Sequence, residues 1–244
     1  MPLGIKKFAV ASQSCKILSF FKNFLSSIRA ADRYQPPGTI IEGSSENLLT
    51  TCGYKAALRY ELGERHTFDF VEGTVPWEAS AESIVETGEA TYAYCDPHQP
   101  QSCLQAVQDL ERYLRGKGPY DGVMAFSLGT SIALTILIDH ARKRGMQEPP
   151  FKVGVLFSNP GKPYDMEFLR LGRIEPCDPQ PIISIPTAHV WGSADPLNEK
   201  ASLAPGYCKE NKSVFVHKGG HQIPTAAGEV VVMANVIHRA MGQA

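Results

Sequence analysis

The chain has 244 residues, 43% hydrophobic and 20% charged, which excludes wholesale disorder and a coiled coil and suits one globular domain. Lys and Arg number 24 against 25 Asp and Glu, a formal net charge of −1, so no general attraction to nucleic acid or to an anionic membrane is expected. Apolar stretches such as Ile132–Ile138 and Val230–Ile237 are far shorter than the roughly 18 residues of a membrane span.

Residues 1–37 differ from the remainder. Lys6, Lys7, Lys16, Lys22 and Arg29 precede the first acid, Asp32, and Ile17, Leu18, Phe21, Phe24, Leu25 and Ile28 recur at helical spacing. The pattern predicts a basic amphipathic extension over 1–37, ended by Tyr34-Gln35-Pro36-Pro37-Gly38, with a single α/β domain over 38–244. The extension is read as packed on the domain or as a loose tail, with a mitochondrial presequence or a membrane-surface anchor as the alternative. After Lys6 and Lys7, the run Phe8-Ala9-Val10-Ala11 is too short for a secretory core.

From Gly38 onward, short β-branched runs alternate with helical patterns. Strands are predicted at Thr39–Glu42, Thr67–Glu72, Gly122–Phe126, Lys152–Ser158, Ala188–Gly192 and Ser213–His217. Helices are predicted at Leu48–Tyr60, Ser102–Arg115, Leu128–Arg144, Asn198–Tyr207 and Ala226–Ala240. The alternation implies an α/β fold, a doubly wound and mostly parallel sheet with helices on both faces. Two stretches stand outside it, Gly73–Pro100 and the proline-rich Pro160–Pro181. Loops of that length serve as lids or binding walls, so they are candidates for a pocket rim.

The cysteines (Cys15, Cys52, Cys95, Cys103, Cys177, Cys208) form no CxxC pair, and no histidine stands at zinc-ligand spacing. Neither a metal nor a disulfide framework is expected, and reduced thiols point to a cytoplasmic compartment.

Chemistry concentrates at Tyr120–Gly129. Ser127 sits between small residues, Ala125 and Gly129, where a strand turns into a helix, the mechanical requirement of a nucleophile elbow. A serine so placed also serves as an ordinary helix N-cap. A catalytic serine needs a base and an acid, which in this architecture follow in the order Ser, Asp, His. Asp195, in His189–Pro196, lies just beyond a strand, and His221 follows Gly219 and Gly220 after another. Both loops fall where ligands bind in such sheets. Asp195 is preferred over Asp165 and Asp178, which lie in the proline-rich insert, and His221 over His217, which ends a strand. The backbone amide of Leu128, at the helix start, is a candidate oxyanion donor.

At these residues the chain resembles the FSH group of serine hydrolases, α/β-hydrolases that include fungal enzymes. GPYDGVMAFSLG is similar to the family's elbow, HVWGSADPL to its acid loop, KGGHQIP to its histidine loop, and Ala56–Trp77 to its second-strand region. The family's first-strand loop, LHGxGxN-like, aligns with Ile41–Asn47. Gly43 and Asn47 fit and Glu42 replaces a histidine; a rival alignment takes Lys16–Phe20 as the first strand.

The resemblance implies a cofactor-independent esterase or thioesterase with the triad Ser127, Asp195 and His221, and with the Leu128 and Ser44 amides as oxyanion donors. It implies a small-molecule ester or a carrier-protein-bound acyl thioester as substrate, with a polyketide synthase as a partner. Trp77 and Tyr164 are candidate walls of the acyl pocket, or alternatively the packing of a lid. Glu42 near an oxyanion suggests a second reading, a hydrolase-fold scaffold with impaired catalysis, and an acyltransferase using the same triad is a third.

Overall fold

The alternating pattern folds, in the computed structural model, into the doubly wound α/β-hydrolase arrangement; residues 6–12, 58, 61–62, 66–77, 92–143 and 149–244 are described. Among the described residues, six strands make the main sheet: β1 (Lys7–Ser12), β2 (Thr67–Glu72), β5 (Gly122–Phe126), β6 (Val153–Phe157), β7 (Thr187–Gly192) and β8 (Lys212–His217). Their order is β2-β1-β5-β6-β7-β8, and every pairing is parallel. A small antiparallel pair, β3 (Val75–Pro76) and β4 (Tyr92–Ala93), lies outside this sheet.

The first strand differs from the sequence expectation. Lys7–Ser12, assigned on sequence to the extension over 1–37, lies inside the sheet between β2 and β5. Close packing explains why a short run headed by lysines is accommodated. The Phe8 ring occupies the space a side chain at Gly122 would need, 2.5 Å from an ideal Cβ, and Ala9 and Ala11 are small enough for a helix to press against the opposite face. The lysine does not oppose burial, because the Lys7 ammonium reaches Asp69 at 3.1 Å and lies over the Tyr120 ring. Both expected first strands, Thr39–Glu42 and Lys16–Phe20, lie outside the described residues, as do the amphipathic stripe of residues 17–28 and most of the predicted helix Leu48–Tyr60.

The helices described over their full length are α1 (Pro100–Lys117), α2 (Leu128–Arg142), α3 (Met166–Arg170), α4 (Asn198–Ala201) and α5 (Ala227–Gly242). The single helix predicted over Asn198–Tyr207 is instead α4 followed by a 3₁₀ turn at Ala204–Tyr207, because Pro205 has no amide to continue the ladder. No helix among the described residues is long and apolar enough to cross a membrane.

Strand residues alternate between two cores. Val123 and Ala125 join α1 and α2 on one face, whereas Met124 and Phe126 join α5 on the other. Helix α2 is buried along Leu128–Asp139, which explains its apolar character on all sides. Its interior hydroxyls are satisfied: Thr130 Oγ1 lies 3.0 Å from the carbonyls of Ala125 and Phe157, and Thr135 Oγ1 accepts from the Tyr164 amide at 3.0 Å.

The proline-rich insert is pinned to α2 by a charge pair. Arg142 Nη1 donates to Asp165 Oδ2 at 2.6 Å, and Asp165 Oδ1 caps α3 by accepting from the Glu167 amide at 2.9 Å. Burial raises the Asp165 carboxyl, but the guanidinium and the capping amides outweigh it and hold it below the usual carboxylate range. A carboxyl depressed in the folded state stabilises above its unfolded value, and that stability is lost as pH falls through the folded value. Arg142→Met is therefore expected to cost about 1 kcal/mol at neutral pH, and progressively less as pH falls and Asp165 becomes protonated, in urea titrations at pH 7 and at successively lower pH.

Candidate active site

Ser127 follows β5 and precedes α2 with φ +53° and ψ −126°. A non-glycine residue with positive φ is strained, so its surroundings must hold it. The Ser127 amide donates to the Phe157 carbonyl at 3.0 Å, and the Ser127 carbonyl accepts from the Thr130 amide at 2.8 Å. Gly129 lets α2 approach β1: a Cβ there would lie 2.5 Å from the Ala11 carbonyl oxygen. The methyl of Ala125, which departs from the GxSxG pattern, is buried where one cross-strand neighbour is the equally small Ala11.

The candidate acid, Asp195, comes from the loop after β7. Asp195 is a buried carboxylate whose Oδ1 accepts from the Leu197 amide at 2.8 Å, leaving Oδ2 to face His221 Nδ1 at 2.7 Å. An ionised carboxylate only accepts, so Nδ1 carries the imidazole proton and Nε2 is left as an acceptor. His221 Nε2 then lies 2.9 Å from Ser127 Oγ. The Phe126 ring meets the imidazole edge-on at a centroid distance of 5.1 Å, limiting its swing. The imidazole is about a third exposed, so a substrate can reach it.

The two loops are fitted to one another by glycine. A Cβ on Gly192 would lie 2.0 Å from the Gly219 carbonyl oxygen and 2.3 Å from that of Gly220. Backbone bonds lock the contact: the Ser193 amide donates to the His217 carbonyl at 2.7 Å and the Ala194 amide to the Gly219 carbonyl at 3.1 Å.

The structure thus brings Ser127, His221 and Asp195 together at the carboxyl ends of the strands, where the sheet order reverses about β1. The competing acids are engaged elsewhere, Asp165 with Arg142 and Asp178 with Lys162. His189 is buried in β7 beside Thr187 and Cys208, and burial pushes its pKa down to about 3, which keeps it neutral. Leu128 is the first residue of α2, so its amide has no acceptor within the helix. Ser44, the other expected oxyanion donor, and Glu42 lie outside the described residues. Trp77 follows β3 and is half-buried. Tyr164, expected as a pocket wall or as the packing of a lid, is buried in the core shared by α1 and α2; its amide donates to Thr135 Oγ1 at 3.0 Å and its carbonyl accepts from Cys177 Sγ at 3.5 Å.

Sequence reasoning missed the Leu197 amide and the Phe126 ring as supports of Asp195 and His221. The first had a signal, the turn-forming Asp195-Pro196-Leu197-Asn198, in which an aspartate side chain accepts from the amide two residues on. Among the described residues, no group of three or more His, Cys, Asp or Glu is placed to hold a metal ion.

A family model described as Serine hydrolase (FSH1) matches residues 49–233. Esterase FPY3 of Fusarium mangiferae is 32% identical over 199 residues, 78% of this chain and 89% of the relative. Hydrolase phiM of Fungal sp. (strain ATCC 74256) is 34% identical over 173 residues, 64% of this chain and 71% of the relative.

Proposed function

The chain belongs to the serine hydrolase (FSH1) family, and from that premise we propose that it cleaves a carboxylic ester or acyl thioester through an acyl-enzyme on Ser127. The observation that carries this is the unbroken line from Ser127 Oγ through His221 to Asp195, with separations of 2.9 and 2.7 Å.

A serine hydroxyl is a weak nucleophile until a base takes its proton. His221 Nε2 accepts that proton as Ser127 Oγ attacks the acyl carbonyl, and Asp195 stabilises the imidazolium that results. The oxyanion forms beside the start of α2, where the Leu128 amide and the positive end of the helix dipole stabilise it. His221 returns the proton to the departing alcohol or thiol, then activates water to free the acid and restore Ser127. The Ser44 amide is the proposed second donor to the oxyanion.

The finer reading, drawn from the family resemblance and supported by similarity to fungal esterases and hydrolases, is an acyl thioester on a carrier protein, released from a polyketide synthase. Trp77 is the proposed wall of the acyl pocket. A carrier-bound acyl chain is expected to be hydrolysed with a kcat/KM at least about tenfold above that of the same acyl group on N-acetylcysteamine, the added contacts contributing about 1.4 kcal/mol. Product assays with p-nitrophenyl esters, the free thioester and the carrier-bound thioester test both levels. A burst of p-nitrophenol with an acyl adduct on the Ser127 peptide supports the acyl-enzyme, and its absence overturns it. Equal rates on the two thioesters leave a simple carboxylesterase.

A further inference from the structure

His217 closes β8, four residues before His221, and the mechanism does not use it. Its ring is almost completely buried, at 2% exposure, and Nε2 has no hydrogen-bond partner among the described residues. A buried imidazole with one nitrogen unsatisfied costs stability that an apolar side chain would not, so its presence calls for a function.

That function is visible in the other nitrogen. His217 Nδ1 lies 3.1 Å from the Gly219 amide, which can only donate, so Nδ1 is the unprotonated acceptor and Nε2 carries the proton. The loop drapes closely over the ring: a Cβ on Gly219 would lie 3.0 Å from Nδ1. Gly219 in turn gives its carbonyl to the Ala194 amide, next to Asp195, while the His217 carbonyl accepts from Ser193. One residue therefore grips both loops, the histidine loop through its ring and the acid loop through its backbone.

We propose that His217 is a positioning residue, whose Nδ1 lone pair fixes the Gly219 amide and thereby sets His221 at the distances that join it to Ser127 and Asp195. This rests on the reading of Ser127 as nucleophile. The role requires the neutral ring, because a protonated Nδ1 would confront the Gly219 N–H with a second donor. Burial favours the neutral form and lowers the pKa below the usual histidine value, against the opposing pull of Glu229 from α5, the Gln222 carbonyl and Asp195 from the acid loop. Glu229 is itself engaged by the Lys218 amide at 3.2 Å.

The test compares His217→Asn, His217→Gln and His217→Leu with the full wild-type chain. Asparagine places an oxygen near the position of Nδ1, glutamine reaches that of Nε2, and leucine offers no acceptor. The leucine and glutamine variants are expected to lose about tenfold or more in kcat and in the rate of fluorophosphonate labelling at Ser127, with KM for a p-nitrophenyl ester changed less than about twofold. Asparagine is expected to restore kcat to within about threefold of wild type.

Amide hydrogen exchange at Gly219 needs no turnover. It should be slow in wild type and the asparagine variant and faster in the other two. Wild-type labelling rates in the leucine or glutamine variant, or asparagine no better than glutamine, would overturn the proposal. Should the leucine variant fail to fold, the asparagine and glutamine pair decides. Failure of the wild type to label refutes the nucleophile instead, and exchange at Gly219 still decides whether His217 holds the loop.

Discussion

Replacing Ser127 by alanine is expected to lower kcat for ester hydrolysis by about four to six orders of magnitude and to abolish fluorophosphonate labelling, while the melting temperature stays close to that of wild type. The loss is large because the triad acts as a unit: without Oγ, His221 and Asp195 have no nucleophile to activate. The fold is expected to tolerate the change because alanine inherits the strained backbone at φ +53° rather than altering it, and the bonds holding that backbone run through the amide and carbonyl of residue 127. The removed hydroxyl gives up its contact to His221 at 2.9 Å. The measurement is steady-state hydrolysis of a p-nitrophenyl ester beside mass spectrometry of the labelled peptides. Residual activity within about a hundredfold of wild type would place the nucleophile elsewhere.

The elbow and its partners were legible in the sequence because each depends on a local, directional requirement. A serine between small residues after an apolar run, an aspartate just past a strand and a histidine behind two glycines all report tight backbone approaches that few sequences satisfy. The structure supplies the reason for the glycine at 192, which the carbonyls of Gly219 and Gly220 exclude from bearing a side chain. Strands β5 to β8 were legible because burial on both faces, or on one, leaves a continuous or alternating apolar run.

The first strand was not. Phe8-Ala9-Val10-Ala11 is short and rich in alanine, and its suitability lies in what it meets, a glycine opposite Phe8 and a close-packed helix beyond Ala11. Periodicity carries no record of such partners. The role of Tyr164 was ambiguous for a related reason, since an aromatic residue in a long insert packs equally well beneath a lid or along a pocket. Its burial against α2 places it in the core.

The second large effect is expected of Asp195→Asn, which should lower kcat by about 10⁴-fold with little change in KM or in folding. The substitution nearly preserves shape, so its effect depends on how the amide settles. The Leu197 amide donates to Oδ1 at 2.8 Å and will keep the asparagine oxygen on that side. The asparagine NH₂ then faces His221 Nδ1 across the 2.7 Å contact now made by Oδ2. A donor at that position requires Nδ1 to be the acceptor, which moves the imidazole proton to Nε2, against the serine hydroxyl. The base is then present and correctly placed but lacks the lone pair that accepts the Ser127 proton. Two measurements separate this from simple disruption. Ester binding, read as KM, should persist, and the double variant Ser127→Ala/Asp195→Asn should be no slower than Ser127→Ala alone, because residues that act as a unit do not add. A loss of less than about tenfold in the single variant would remove Asp195 from the triad.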